Sequence, residues 1–116
     1  MTNNNNPYDL AHELARSITD NETYQRYIKA QMELDQNPEA KEKVRQFRAL
    51  QMEVNQAQIL GQNLPDDKVQ QVTLEYAKLN REKSIADFFT AEGMFMQMFT
   101  DIQQIIQKSL ESGFIK

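Results

Sequence analysis

The sequence predicts an all-α protein, a bundle of about five helices, and three observations carry that expectation. Ala, Leu, Met, Gln, Glu, Lys and Arg, the stronger helix formers, dominate the composition. Three glycines and three prolines punctuate 116 residues, so the elements between them must be long. Valine, isoleucine and threonine are scattered and never alternate with polar residues over the runs that strands require. A chain of this length suits one domain: residues 1–6 read as a polar, disordered tail and 7–116 as a single helical domain.

The first helix is announced by Asn6-Pro7, with Asn as the cap and Pro at the first helical position. Leu10, Leu14 and Ile18 follow at a spacing of four, with Ala11 and Ala15 beside them, which makes one apolar stripe. Thr19-Asp20-Asn21 interrupts the pattern, and Asp20 or Asn21 can cap a second helix striped by Tyr24, Tyr27, Ile28, Gln31 and Leu34, with Met32 to one side. Asn37-Pro38 repeats the opening device for a long third helix. Its stripe is Ala40, Val44, Phe47, Gln51, Val54 and Gln58, widened by Leu50, Ala57 and Leu60. Gly61 near the C-cap and Pro65 ahead of the next helix form a clear stop. Val69, Val72, Tyr76 and Leu79 then mark a fourth helix, and so short a connection predicts a long antiparallel helical hairpin.

Asn80–Ser84 weakens the pattern. Ser84 and Asp87 read as a cap and its reciprocal partner, opening a fifth helix that Gly113 ends; one kinked helix in place of the fourth and fifth is the alternative. Its apolar positions are Ile85, Phe88, Phe95, Phe99, Ile102, Ile106 and Leu110. At about 100° per residue, Phe89 and Met96 flank that line on one side, Met94 and Met98 on the other. A single amphipathic face in a monomer needs an apolar arc of roughly 100°, and this arc is much wider. Either the helix is central in the bundle or one flank is buried against another chain. The preferred reading is a dimer or higher oligomer with Phe88, Phe89, Phe95, Met96, Met98, Phe99 and Ile102 in the interface. A methionine-lined groove that accepts different partner helices is the functional alternative, since methionine repacks easily.

The same sequence holds little that can do chemistry. Without cysteine there are no disulfides, thiolate metal sites or cysteine nucleophiles, which fits a reducing cytoplasm. His12 is the only histidine. Asp9-x-x-His12 has the carboxylate-x-x-His spacing of helix-bundle di-iron sites, but such a site needs that motif twice, and an exposed helix histidine is the simpler reading. Glycines at 61, 93 and 113 stand alone, so no phosphate loop exists, and no serine sits on a glycine-flanked turn. Glu92 within an apolar stretch suits a rim salt bridge better than a raised-pKa acid. The expectation is a protein that is not an enzyme and needs no cofactor. The N-terminus has neither a basic leader nor an apolar run, and no stretch approaches the roughly 20 apolar residues that cross a bilayer, so a cytoplasmic address and no membrane contact are expected.

A net charge of −4 argues against general nucleic-acid binding, which depends on neutralising phosphates. Lys41, Lys43, Arg45 and Arg48 are a local exception: an RNA or partner contact, or a solvated face paired with Glu39 and Glu42 at helical spacing.

Tyr8-Asp-Leu-Ala-His-Glu-Leu14, Phe47-Arg-Ala-Leu-Gln-Met-Glu53, Ala91-Glu92 and Asp101-Ile-Gln-Gln-Ile-Ile106 together resemble the YheA branch of the YlbF/YmcA family, over nearly everything from Pro7 to Glu111. None of these is a chemical motif; the likeness rests on pattern along the whole chain. It implies long helices associating as dimers or larger oligomers in the bacterial cytoplasm, and regulation through contacts with other proteins. Relatives are tied to competence, sporulation and biofilm development, and to complexes that steer the RNA-degrading enzyme RNase Y. Some of them carry cysteines that matter for their complexes, and this chain has none.

Overall fold

The computed structural model describes residues 6–63 and 66–114, with side chains up to residue 111. Among them are five α-helices and no strand: α1 (Pro7–Asp20), α2 (Glu22–Asp35), α3 (Pro38–Ile59), α4 (Asp66–Leu79) and α5 (Lys83–Phe114). Both Asn-Pro devices work as the sequence predicts. The Asn6 carboxamide oxygen accepts from the Tyr8 amide at 2.8 Å, and that of Asn37 from the Ala40 amide at 3.1 Å, each with proline in the first turn. Of the two candidate caps for α2 it is Asn21 that accepts, from the Thr23 amide at 2.8 Å. Gly61 closes α3 in the left-handed region at φ 70°, and the Gln62 amide donates back to the Ala57 carbonyl at 2.8 Å. Of the tail expected at residues 1–6, Asn6 is the cap of α1, and residues 1–5 and the proline ahead of α4 lie outside the described residues.

The chain forms two compact units. The hairpin unit is Ala30–Phe89 and comprises the end of α2, all of α3 and α4, and the start of α5. Here α3 and α4 pack against each other. Lys68 near the start of α4 pairs with Glu53 late in α3 at 2.6 Å, while Glu82 just past α4 pairs with Lys43 early in α3 at 2.7 Å, so the two helices run antiparallel. The core of this unit is Ala30 and Leu34 of α2, Ala40, Val44, Phe47, Val54 and Ala57 of α3, Leu79 of α4, and Ile85 and Phe88 of α5. Gln51 and Gln58 of the expected α3 stripe are exposed, as is Gln31 in α2, where Ala30 is buried instead. In each case the polar amide stays in water and the smaller or more apolar neighbour on the same face takes the contact.

The terminal unit holds the residues up to Lys29 and from Thr90 on: α1, the start of α2 and the long remainder of α5. No described residue in it is buried.

Helices α4 and α5 are separate, joined through Asn80–Glu82, where the Arg81 and Glu82 amides donate to the Lys78 and Leu79 carbonyls. The start of α5 differs from expectation. The Ala86 amide donates to the Glu82 carbonyl at 2.9 Å, so the helix begins at Lys83 and Ser84 lies inside it. Asp87 pairs with Lys83 at 2.9 Å, one turn apart, and does not serve a cap at Ser84. Nor does Gly113 end α5, which continues to Phe114; one glycine costs a helix only about 1 kcal/mol, too little to stop it by itself. Gly93 bears the same cost in mid-helix, and a Cβ built there meets nothing within 4 Å. Gly93→Ala is therefore expected to stabilise the protein by about 0.5–1 kcal/mol, seen as a higher thermal midpoint by circular dichroism. A lower midpoint would mean that another chain lies close against this position.

Candidate interaction surfaces

In the hairpin unit the aromatic side chains form one cluster. The Phe47 ring lies 5.9 Å from both Tyr76 and Phe89, Tyr76 stacks on Phe89 at 5.4 Å, and Phe88 meets Phe89 at 6.1 Å. The Arg48 guanidinium sits 5.5 Å over the Phe88 ring, a cation–π contact. Phe88 is only 5% exposed, so it belongs to the chain's own core and is removed from the expected interface set: Arg48 of α3 in the same chain lies over it. Phe89 is half-buried in the same cluster.

The terminal unit is different. Phe95 is held by Tyr27, stacked at 5.2 Å, and by Tyr24, edge-on at 5.4 Å, and it contacts Phe99 at 6.2 Å. Met98 and Ile102 are half-buried. Beyond them the cover thins: Met96, Phe99, Ile106 and Leu110 are exposed, and Ile105 is exposed at 66%. Leu10 and Leu14 of α1, whose stripe the sequence assigns to packing, are exposed as well. Of the seven expected interface residues, Met96 and Phe99 are thus exposed, Phe89, Phe95, Met98 and Ile102 are half-buried, and Phe88 is buried. The list omits Leu10, Leu14, Ile105, Ile106 and Leu110, of which all but Ile105 were visible as stripe positions.

The basic cluster is engaged within the chain. Lys41 pairs with Asp35 at 3.3 Å, Lys43 with Glu82 at 2.7 Å and Glu39 at 3.7 Å, and the Arg45 Nε donates to Glu42 at 2.9 Å. The hydrogen bond from Glu82 holds the Lys43 ammonium above its ordinary pKa, and Arg45 lowers that of Glu42. An RNA backbone would have to displace these exposed pairs, which are individually weak.

A cleft of about 480 Å³ opens between α3 and α4 over Phe47, Leu50 and Leu79. Lys43, Glu75, Lys78 and Glu82 edge it, so its charges balance; the second Glu82 carboxylate oxygen is buried without a hydrogen-bond partner. His12 is exposed on α1, and Glu92 is half-buried in the terminal unit. No group of three or more His, Cys, Asp or Glu among the described residues could hold a metal ion, and no helix among them is long and apolar enough to cross a membrane.

Comparison with known proteins agrees with this architecture. The chain is 29% identical over 106 residues to the UPF0342 protein SERP1381 of Staphylococcus epidermidis, covering 91% of this chain and 93% of that one. It is 31% identical over the same length to a UPF0342 protein of Halothermothrix orenii, covering 91% and 90%. Its fold matches a solved structure described as a protein of unknown function (DUF964) from Bacillus stearothermophilus, with a TM-score of 0.80, 21% identity, and coverage of 94% and 96%. The family model described as control of competence regulator ComK, YlbF/YmcA, matches residues 8–111, which is nearly the whole chain, and the protein belongs to that family.

Proposed function

We propose that this chain is a regulatory or scaffolding protein without catalysis of its own, acting in the cytoplasm through helix-mediated self-association and contacts with other proteins. The observation that carries the reading is the terminal unit, which displays apolar side chains from two helices and buries none of its described residues. Exposed apolar surface of that extent on a chain otherwise rich in charge marks an interaction site. The family's link to the competence regulator adds support for control through protein contacts, in competence, sporulation, biofilm development or RNA decay.

Capture of the full chain from native lysate, followed by mass spectrometry, tests this. Wild type is expected to retain other proteins that a Phe99→Asp variant loses. Recovery of the chain alone, under several growth conditions, would contradict the heterologous part of the reading.

A further inference from the structure

We propose that the cleft between α3 and α4 binds a small amphipathic amine, a primary ammonium carried on an aromatic or branched aliphatic body. The cleft lies wholly within the hairpin unit, apart from the apolar face of the terminal unit, so this inference stands or falls independently of self-association. Its volume of about 480 Å³ falls within the roughly 300–1,000 Å³ usual for small-molecule sites. Phe47 and Leu79 are buried and Leu50 is half-buried, so the floor from α3 across to α4 is apolar and takes an apolar body.

Glu82 sets the chemistry of the ligand's head. One carboxylate oxygen accepts from the Lys43 ammonium at 2.7 Å. The other is buried and, among the described residues, is the side-chain oxygen left without a hydrogen-bond partner. Buried polar atoms are satisfied in folded proteins, and an unsatisfied one in the wall of a cleft matches a donor on an occupant. A carboxylate oxygen only accepts, so the matching group carries an N–H or O–H, and an ammonium makes the shorter and stronger bond. The surrounding charges agree. Lys43 is already held between Glu82 and Glu39, while Glu75 adds a second, half-buried carboxylate to the lining. Lys78 is exposed at the edge, where water and salt screen it. An anionic ligand would meet both carboxylates, and a neutral one would leave them uncompensated.

Titration of the isotope-labelled full-length chain with phenethylamine, followed by amide chemical shifts, decides this. Phenethyl alcohol and phenylacetate share the apolar body without the ammonium, and methylamine has the head without the body. Phenethylamine is expected to bind with a Kd on the order of 1 mM or tighter, and the three comparison compounds about tenfold or more weaker. The shifted amides should lie in Lys43–Leu50 and Gln71–Glu82. Glu82→Gln keeps the side chain's shape and removes its charge, and should weaken phenethylamine by about tenfold or more. Glu53→Gln breaks the other ion pair between α3 and α4, to Lys68, outside the cleft, and should leave binding unchanged. Equal affinity for phenethyl alcohol, or unchanged affinity in a folded Glu82→Gln, would overturn recognition by the carboxylate. No shift at millimolar amine, or shifts confined to α1 and residues 94–111, would overturn the site. Should Glu82→Gln fail to fold, the series of compounds on the wild type decides alone.

Discussion

Phe47→Ala is expected to destabilise the hairpin unit by about 3–5 kcal/mol, a large part of the roughly 5–15 kcal/mol that holds a domain of this size. Phe47 is buried on α3 and its ring reaches Tyr76 of α4 and Phe89 of α5, so one side chain ties three helices together. Truncation removes the transferred apolar area and leaves a cavity beside an existing cleft. Partial collapse into that cleft places the cost towards the lower end of the range. Urea unfolding followed by far-ultraviolet circular dichroism measures it. Phe47→Leu, which keeps more of the volume, should cost clearly less. A loss below about 1 kcal/mol for Phe47→Ala would show that the aromatic cluster does not hold the unit.

Phe99→Asp and Ile106→Asp should act on association more than on the isolated chain. Phe99 is 39% and Ile106 49% exposed, so in a single chain the new carboxylate reaches water and the change costs about 1 kcal/mol, from lost apolar contact such as that of Phe99 with Phe95. Between two copies the same carboxylate would be buried without a partner. Weakening of association by about 100-fold or more is expected, equivalent to about 2.8 kcal/mol. The wild-type melting temperature should rise with protein concentration, and that dependence should vanish in the variants. Light scattering reads the mass, and calorimetry at several concentrations reads the linkage. Variants that associate as wild type does would move the interface off distal α5.

Local chemistry was legible in the sequence and long-range cover was not. Asn6-Pro7, Asn37-Pro38 and Gly61 could be placed because each acts on its own neighbouring amides and carbonyls. Ser84 and Asp87 have the spacing of a reciprocal cap, yet a nearby lysine competes: Lys83 takes the Asp87 carboxylate and the helix starts two residues earlier, at Lys83 in place of Ile85. Phe88, Phe95 and Phe99 share a helical phase, and periodicity cannot tell them apart. Phe88 is sealed by the hairpin unit, Phe95 is half-covered by two tyrosines, and Phe99 is exposed. Phase fixes which face of α5 is apolar; how far along the helix that face is covered depends on where other helices end. The exposure of Leu10 and Leu14 has the same origin, since an amphipathic stripe says a helix must be packed and not against what.

Sedimentation equilibrium of the wild-type chain across the micromolar range tests the central claim most directly. The apolar terminal unit predicts a mass of two or more chains that falls towards one on dilution, with the thermal midpoint falling alongside it. A single-chain mass at every concentration, with α1 and α5 fully helical, would contradict it.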